Sequence, residues 1–325
     1  MSDPKSKPLS PGRSDVRFDF VDRLPGNVPP VEQPPTSMFP FPPPVGPADA
    51  TYYFPLPLEG CCPTGVFFPD GYGYPDKINV IIYFHGHKAG EFETIDQYWK
   101  GLHNIRLRED INATGKKVVL IAPTMGPAPG SGLNKDMGIF RNPGGGDSFL
   151  EEVRQWIGKY VPRYSSRKVI PGIGNIVLAG HSGAGGILLQ QAKSMRSHIC
   201  EVWGFDSMYG MGWRIIGKDK KNKNIYQKID VPGGWRDTAA SHSGIEIDTS
   251  GFFPTIRVRP ATKFYFYWAG SSVHTNAQAL AEKVKEWGLT NVTIEANVHT
   301  GGSWAVHFES ITANFKKRVT AAQCF

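Results

Sequence analysis

One stretch constrains the fold of this chain more than any other. Ile176-Val177-Leu178-Ala179 runs into Gly180-His181-Ser182-Gly183-Ala184 and on into Gly185-Gly186-Ile187-Leu188-Leu189. The first four residues are a strand-length apolar run, and the last five open a helical pattern. A strand apolar on every position must be covered on both faces, which is the habit of parallel sheets flanked by helices. A strand that passes directly into a helix is half of a βαβ unit.

The rest of the chain repeats that rhythm. Strands are expected at 52–57, 64–68, 80–84, 117–122, 175–179, 201–205, 263–268 and 292–297. Helices are expected at 94–108, 147–160, 184–197, 275–287 and 307–319. The second helix carries Phe149, Leu150, Val153, Trp156, Ile157, Tyr160 and Val161 at a 3.6-residue period. A short antiparallel entry followed by alternating strands and helices predicts an α/β fold: a mostly parallel central sheet of about eight strands with helices on both faces. Residues 207–261 break the alternation and read as an insertion between the sixth and seventh strands, over one edge of the sheet. Residues 1–50 differ from the remainder. Fifteen of the 27 prolines precede residue 58, a density that forbids a helix or a central strand. That segment reads as a disordered tail or an extended arm. Phe18, Phe20, Phe39 and Phe41 favour an arm that packs in part. Residues 51–325 form the folded domain.

Composition removes several classes. Charged residues are 20% of 325, with 37 Gly, which excludes a coiled coil. Apolar runs such as 80–84 and 118–122 fall far short of the ~20 residues that cross a bilayer, so no membrane span is expected. Net charge is +7. Its sharpest cluster, Lys218, Lys220, Lys221 and Lys223 around Asp219, reads as a solvated loop tip. No nucleic-acid signature accompanies it, and no nucleic-acid partner is expected. The four cysteines are Cys61, Cys62, Cys200 and Cys324. They make no CxxC pair and no disulfide scaffold, leaving room for one bridge from Cys61 or Cys62 to a distant partner. The first eleven residues lack an apolar signal segment. The expectation is cytoplasmic, with a mature secreted form as the alternative.

Ser182 is the candidate for chemistry. A serine on a tight strand-to-helix turn is exposed on a strained backbone, and small residues two before and two after let strand and helix approach closely. The helix N-terminus beside it favours developing negative charge. Here the chain resembles the α/β-hydrolase superfamily of serine esterases and lipases over roughly residues 60–325. The resemblance rests on Gly180–Ala184, with Ala184 where the motif has its last glycine, and on Tyr83-Phe84-His85-Gly86-His87. It implies that the backbone N–H groups of His87 and Gly183 form an oxyanion hole. It also implies a base after the last strand, where His307 in Trp304-Ala305-Val306-His307-Phe308 is preferred to His299. The remaining histidines, His103, His181, His198, His242 and His274, read as surface or satisfied polar residues. The family's usual acid position, 269–274, holds no carboxylate. Asp206, at the end of the sixth strand, fills the family's other position, with Asp237 and Asp248 as fallbacks. The order Ser182, Asp206, His307 matches nucleophile, acid, base.

The implied function is cleavage of a carboxylic ester through an acyl-enzyme, without a cofactor or a metal, on a small-molecule or polymer-derived substrate. Trp304, Trp213 and Trp235, with Phe252 and Phe253, are candidate pocket walls. Two alternatives stand beside it. One is a catalytically idle hydrolase fold used for binding. The other is a metal-dependent hydrolase using His85 and His87, with Glu91 and Glu93 nearby. Phosphate-loop and dinucleotide fingerprints are absent from the sequence.

Overall fold

The computed structural model describes residues 51–54, 61–86, 105–125, 138–208, 213–221, 224–228, 245–248, 255–258, 262–268, 277–278, 281–282, 284–285, 289–296 and 304–325. The Pro-rich segment 1–50, most of the expected helix 94–108, and His87, Trp235, Phe252, Phe253, Asp237 and His299 lie outside them.

In chain order the strands are β1 (Thr51–Phe54), β2 (Cys61–Phe67), β3 (Lys77–Phe84), β4 (Val119–Met125), β5 (Gly172–His181), β6 (Ile199–Phe205), β7 (Trp213–Lys218), β8 (Asn224–Lys228), β9 (Ile245–Asp248), β10 (Thr255–Val258), β11 (Lys263–Trp268) and β12 (Val292–Ala296). Eight form one sheet in the order β1-β2-β4-β3-β5-β6-β11-β12. The pairs β1/β2 and β2/β4 are antiparallel, and the pairs from β4 to β12 are parallel. The antiparallel entry and the parallel series are as expected from the apolar runs. Between β6 and β11 the described residues make two separate antiparallel pairs, β7/β8 and β9/β10.

Strand alternation sorts the apolar residues onto the two faces of the sheet. Val80, Ile82, Phe84, Ile176, Leu178 and Val202 face one core, while Ile81, Tyr83, Val177, Ala179, Trp203 and Phe205 face the other. The helices divide accordingly. Helix α1 is Leu107–Thr114, α2 Gly145–Tyr160, α3 Gly185–Ser194 and α4 Trp304–Ala321. Helix α2 gives Phe149, Leu150, Val153, Trp156 and Ile157 to the first core, with Ile187 and Leu188 of α3. Helix α1 gives Leu107 and Ile111 to the second, with Ile311, Phe315 and Val319 of α4. Each large side chain buried this way contributes about 1.5–3 kcal/mol.

Two expectations need correction. Of the predicted helix 94–108, residues 105 and 106 are not helical, and α1 continues from Leu107 to Thr114. Leu107 and Ile111 supply its i,i+4 apolar pair, and Gly115, at φ 68°, ends it in the left-handed conformation. The bridge is also not one from Cys61 or Cys62: Cys200 and Cys324 are bonded to each other, with Cα atoms 6.0 Å apart. They meet because the segment after α4 is held against the amino end of β6. Asn175 Nδ2 donates to the Cys324 carbonyl (2.5 Å), and Lys116 Nζ donates to the carbonyls of Ala322 (3.1 Å) and Phe325 (2.9 Å). Among the described residues, no helix is long and apolar enough to cross a membrane.

Candidate active site

The carboxyl ends of β5 and β6 and the first turn of α4 converge. Strand β5 ends at His181, a turn of 3-10 helix covers Ser182–Ala184, and α3 begins at Gly185. Ser182 is buried to 8% exposure and has φ +55°. A non-glycine residue there costs roughly 1–2 kcal/mol, a strain that surrounding contacts must hold. Two glycines make the turn possible. A Cβ on Gly180 would sit 2.9 Å from the Ala184 Cβ and 3.1 Å from two carbons of Leu188, so β5 and α3 approach too closely for any side chain. A Cβ on Gly185 would sit 1.8 Å from the Ser207 carbonyl oxygen, so the start of α3 presses on the chain just past β6.

Asp206 follows β6 directly. It is fully buried, has φ +45°, and donates its own N–H to the Tyr267 carbonyl (2.6 Å). Its left-handed backbone turns the carboxylate towards α4, where Oδ2 accepts a hydrogen bond from His307 Nδ1. A proton held on Nδ1 makes Nε2 the acceptor of the neutral ring. His307 is the fourth residue of α4 and is 7% exposed.

His181 completes the cluster. It is 1% exposed, its Nε2–H donates to the His307 carbonyl (3.1 Å), and its ring lies 4.4 Å from the His307 ring. The residue immediately before Ser182 therefore touches His307. Sequence reasoning grouped His181 with ordinary polar histidines. The available signal was strand parity: in β5 the odd positions Val177 and Ala179 face α4, and His181 shares their parity.

Other expected residues fall as follows. Gly183 is half-buried within the serine turn. Trp213 starts β7 and Trp304 starts α4. Asp248 ends β9. His85 is buried, and its Nδ1–H donates to the Gly86 carbonyl (2.7 Å). Its proposed metal partner His87 lies outside the described residues. Among those residues, the ligand atoms gathered closely enough for a metal are those of Cys200, Glu201 and Cys324, and the two sulfurs are bonded to each other.

No protein-family model matches the chain, and no curated protein sequence does. Solved structures resemble it in overall shape at low identity. A ferulic acid esterase from Anaeromyces mucronatus is 15% identical, with 80% of this chain and 84% of that one covered and a TM-score of 0.44. The fluorophosphonate-binding serine hydrolase F of Staphylococcus aureus is 13% identical, with coverage of 83% and 97% and a TM-score of 0.46. An S-formylglutathione hydrolase from Agrobacterium tumefaciens is 12% identical, with coverage of 85% and 97% and a TM-score of 0.44. An antiparallel entry into a parallel sheet, helices on both faces and a strained serine turn after a central strand give this chain the α/β-hydrolase fold.

Proposed function

We propose that this protein is a serine hydrolase that cleaves a carboxylic ester through an acyl-enzyme. The observation that carries the reading is the buried hydrogen bond from His307 Nδ1 to Asp206, made beside a serine on a left-handed strand-to-helix turn. Nothing in a fold requires a buried carboxylate to orient a histidine at that point, and a nucleophile–base–acid relay does.

The steps follow from those positions. Ser182 Oγ attacks the ester carbonyl carbon while His307 Nε2 takes the hydroxyl proton. Asp206 holds the ring in the tautomer that can accept it and offsets the charge that forms. The oxyanion is met by the backbone N–H of Gly183, just before the positive end of α3; the second donor that the sequence motif offers is the N–H of His87, which lies outside the described residues. Collapse breaks the bond to the alcohol oxygen, which leaves with the proton from Nε2. Water then attacks the acyl carbon, giving its proton to Nε2, and the second collapse returns that proton to Ser182 and frees the acid. Trp213, Trp235 and Trp304 are the candidate walls of the substrate pocket from the sequence, and Trp235 lies outside the described residues.

The test is covalent labelling by a fluorophosphonate together with turnover of p-nitrophenyl esters of increasing acyl length. Wild-type protein labels at one site. Ser182→Ala abolishes labelling and lowers turnover by about 10⁴–10⁶ with the fold unchanged, and Asp206→Asn lowers it by roughly 10²–10⁴. Labelling of Ser182→Ala at wild-type stoichiometry overturns the reading.

A further inference from the structure

The triad assignment leaves one buried polar side chain at the site without a role. His181 ends β5 and points to the face of the sheet that α4 covers, as Val177 and Ala179 do. Its backbone is ordinary extended chain (φ −117°, ψ 146°), so its side chain is not there because of strain. Two contacts join it to α4. Its Nε2–H donates to the His307 carbonyl at 3.1 Å. Its ring also lies against two rings of that helix, 4.4 Å from His307 and 5.2 Å from Phe308.

The consequence is geometric. His307 is gripped twice, by Asp206 at its imidazole and by His181 at its own carbonyl. Ser310 Oγ donates to that carbonyl as well (3.0 Å), but Ser310 belongs to α4 and moves with it. His181 does not: it is bonded through one peptide unit to Ser182. Of the two donors, His181 alone ties the backbone of the base to the backbone of the nucleophile. Proton transfer between Ser182 and His307 depends on their spacing, and a misplacement of about 1 Å costs on the order of 10²-fold in rate. The hydrogen bond ties the first turn of α4 to the residue next to the serine, and the neighbouring ring, inclined at 38° to the imidazole, packs against it.

We infer that His181 is a positioning residue for the base, its Nε2–H setting the distance between the first turn of α4 and the serine turn. This rests on the serine-hydrolase reading above. It goes beyond that reading by giving a working role to the residue before the serine, which filling the core does not require. If His181 merely filled space, an apolar side chain of similar size would serve better than a polar one, because its own position is 1% exposed. If its donor matters, the order reverses.

The experiment uses that reversal. His181→Gln keeps an N–H at a similar reach, His181→Met has the same length without the donor and adapts its shape to the cavity, and His181→Phe keeps a ring without the donor. Each is purified, its thermal midpoint is measured, and kcat and KM are determined separately on a p-nitrophenyl ester beside wild type and Ser182→Ala. The expected result is a fall in kcat of about tenfold to a hundredfold for Met and Phe with KM within about twofold, and recovery to within about threefold for Gln. A folded Met or Phe variant with wild-type kcat overturns the inference, as does a Gln variant as slow as Met. If neither donorless variant folds, Gln decides: near-wild-type kcat sustains the inference, and a tenfold loss overturns it. Ser182→Ala separates the two levels. Wild-type turnover in that variant removes the serine-hydrolase reading and this inference with it, whereas normal turnover in His181→Met beside an inactive Ser182→Ala removes this inference alone.

Discussion

Replacing Glu201 by alanine should cost a large fraction of the stability of this protein. Glu201 lies on β6 at 1% exposure and accepts from Arg318 Nη2 of α4 at 2.8 Å, with the Arg318 side chain 8% exposed. The carboxylate also accepts from Trp203 Nε1 (2.7 Å) and from the Gln323 N–H (3.4 Å). Alanine removes all three acceptor contacts and leaves a guanidinium enclosed by protein. Breaking one side of a buried pair costs about 3–5 kcal/mol. The Tyr265 ring, 3.6 Å from the guanidinium carbon, is present in wild type and variant alike, so that contact does not offset the loss. Against a total stability of about 5–15 kcal/mol, the single change is severe. Urea unfolding followed by tryptophan fluorescence should show a midpoint about 1–1.7 M lower at unchanged slope, taking m near 3 kcal/mol/M. Glu201→Leu combined with Arg318→Met removes both charges, and that double variant should return to within about 2 kcal/mol of wild type. With the single variants Glu201→Leu and Arg318→Met measured beside it, the cycle yields a coupling of at least about 2 kcal/mol. A Glu201→Ala protein within 1 kcal/mol of wild type, or a cycle that closes to zero, would refute the reasoning.

Three further outcomes are expected. Gly185→Ala drives a methyl into the Ser207 carbonyl next to Asp206; it should cost about 1–3 kcal/mol and lower ester turnover, and wild-type values of both thermal midpoint and kcat would contradict this. His307→Ala should match the loss of Ser182→Ala because base and nucleophile act as a unit, while His299→Ala costs far less; a reversed order in steady-state kinetics would show that the base lies before α4. Burial pushes the Asp110 carboxyl up to about 6, above its unfolded value of about 3.9, so the folded state binds the proton more tightly and stability rises as pH falls from about 6 towards 4. Asp110→Asn should flatten that part of the profile, and denaturation curves at pH 4, 5, 6 and 7 that keep the wild-type slope would count against it.

Much of the site was legible because its signals are local. The strands β3, β5, β6 and β11 are dense apolar runs, and their cores lie within a few residues of the expected bounds. Ser182 stands out through the small residues around it, Asp206 through its place at the end of a strand, and His307 through its place after the last one. What stayed hidden depends on contacts between distant parts of the chain. Glu201 reads as an interruption in an apolar strand until Arg318, 117 residues away, is placed beside it. Cys200 has no visible reason to choose Cys324 over Cys61 until α4 is laid antiparallel to β6 on the sheet. His181 reads as an ordinary polar residue until its partner, the His307 carbonyl 126 residues away, is placed beside it. Helix α1 from Leu107 to Thr114 overlaps the expected helix 94–108 only at its end, and residues 94–104 lie outside the described residues.

The bond between Cys200 and Cys324 spans 124 residues of sequence, and that span has its largest effect on the chain when it is not folded. Tying two points so far apart removes loop freedom worth about 5 kcal/mol in the chain-entropy account. Every residue from Cys200 to Cys324, His307 and Asp206 among them, lies inside the closed loop. Such bonds persist where the surroundings are oxidising and are kept open by the thiol pools of the cytosol. The same polypeptide made in the two settings is one fold with two lifetimes. A preparation handled in strong reductant would unfold sooner under heat or protease than one that never met a thiol.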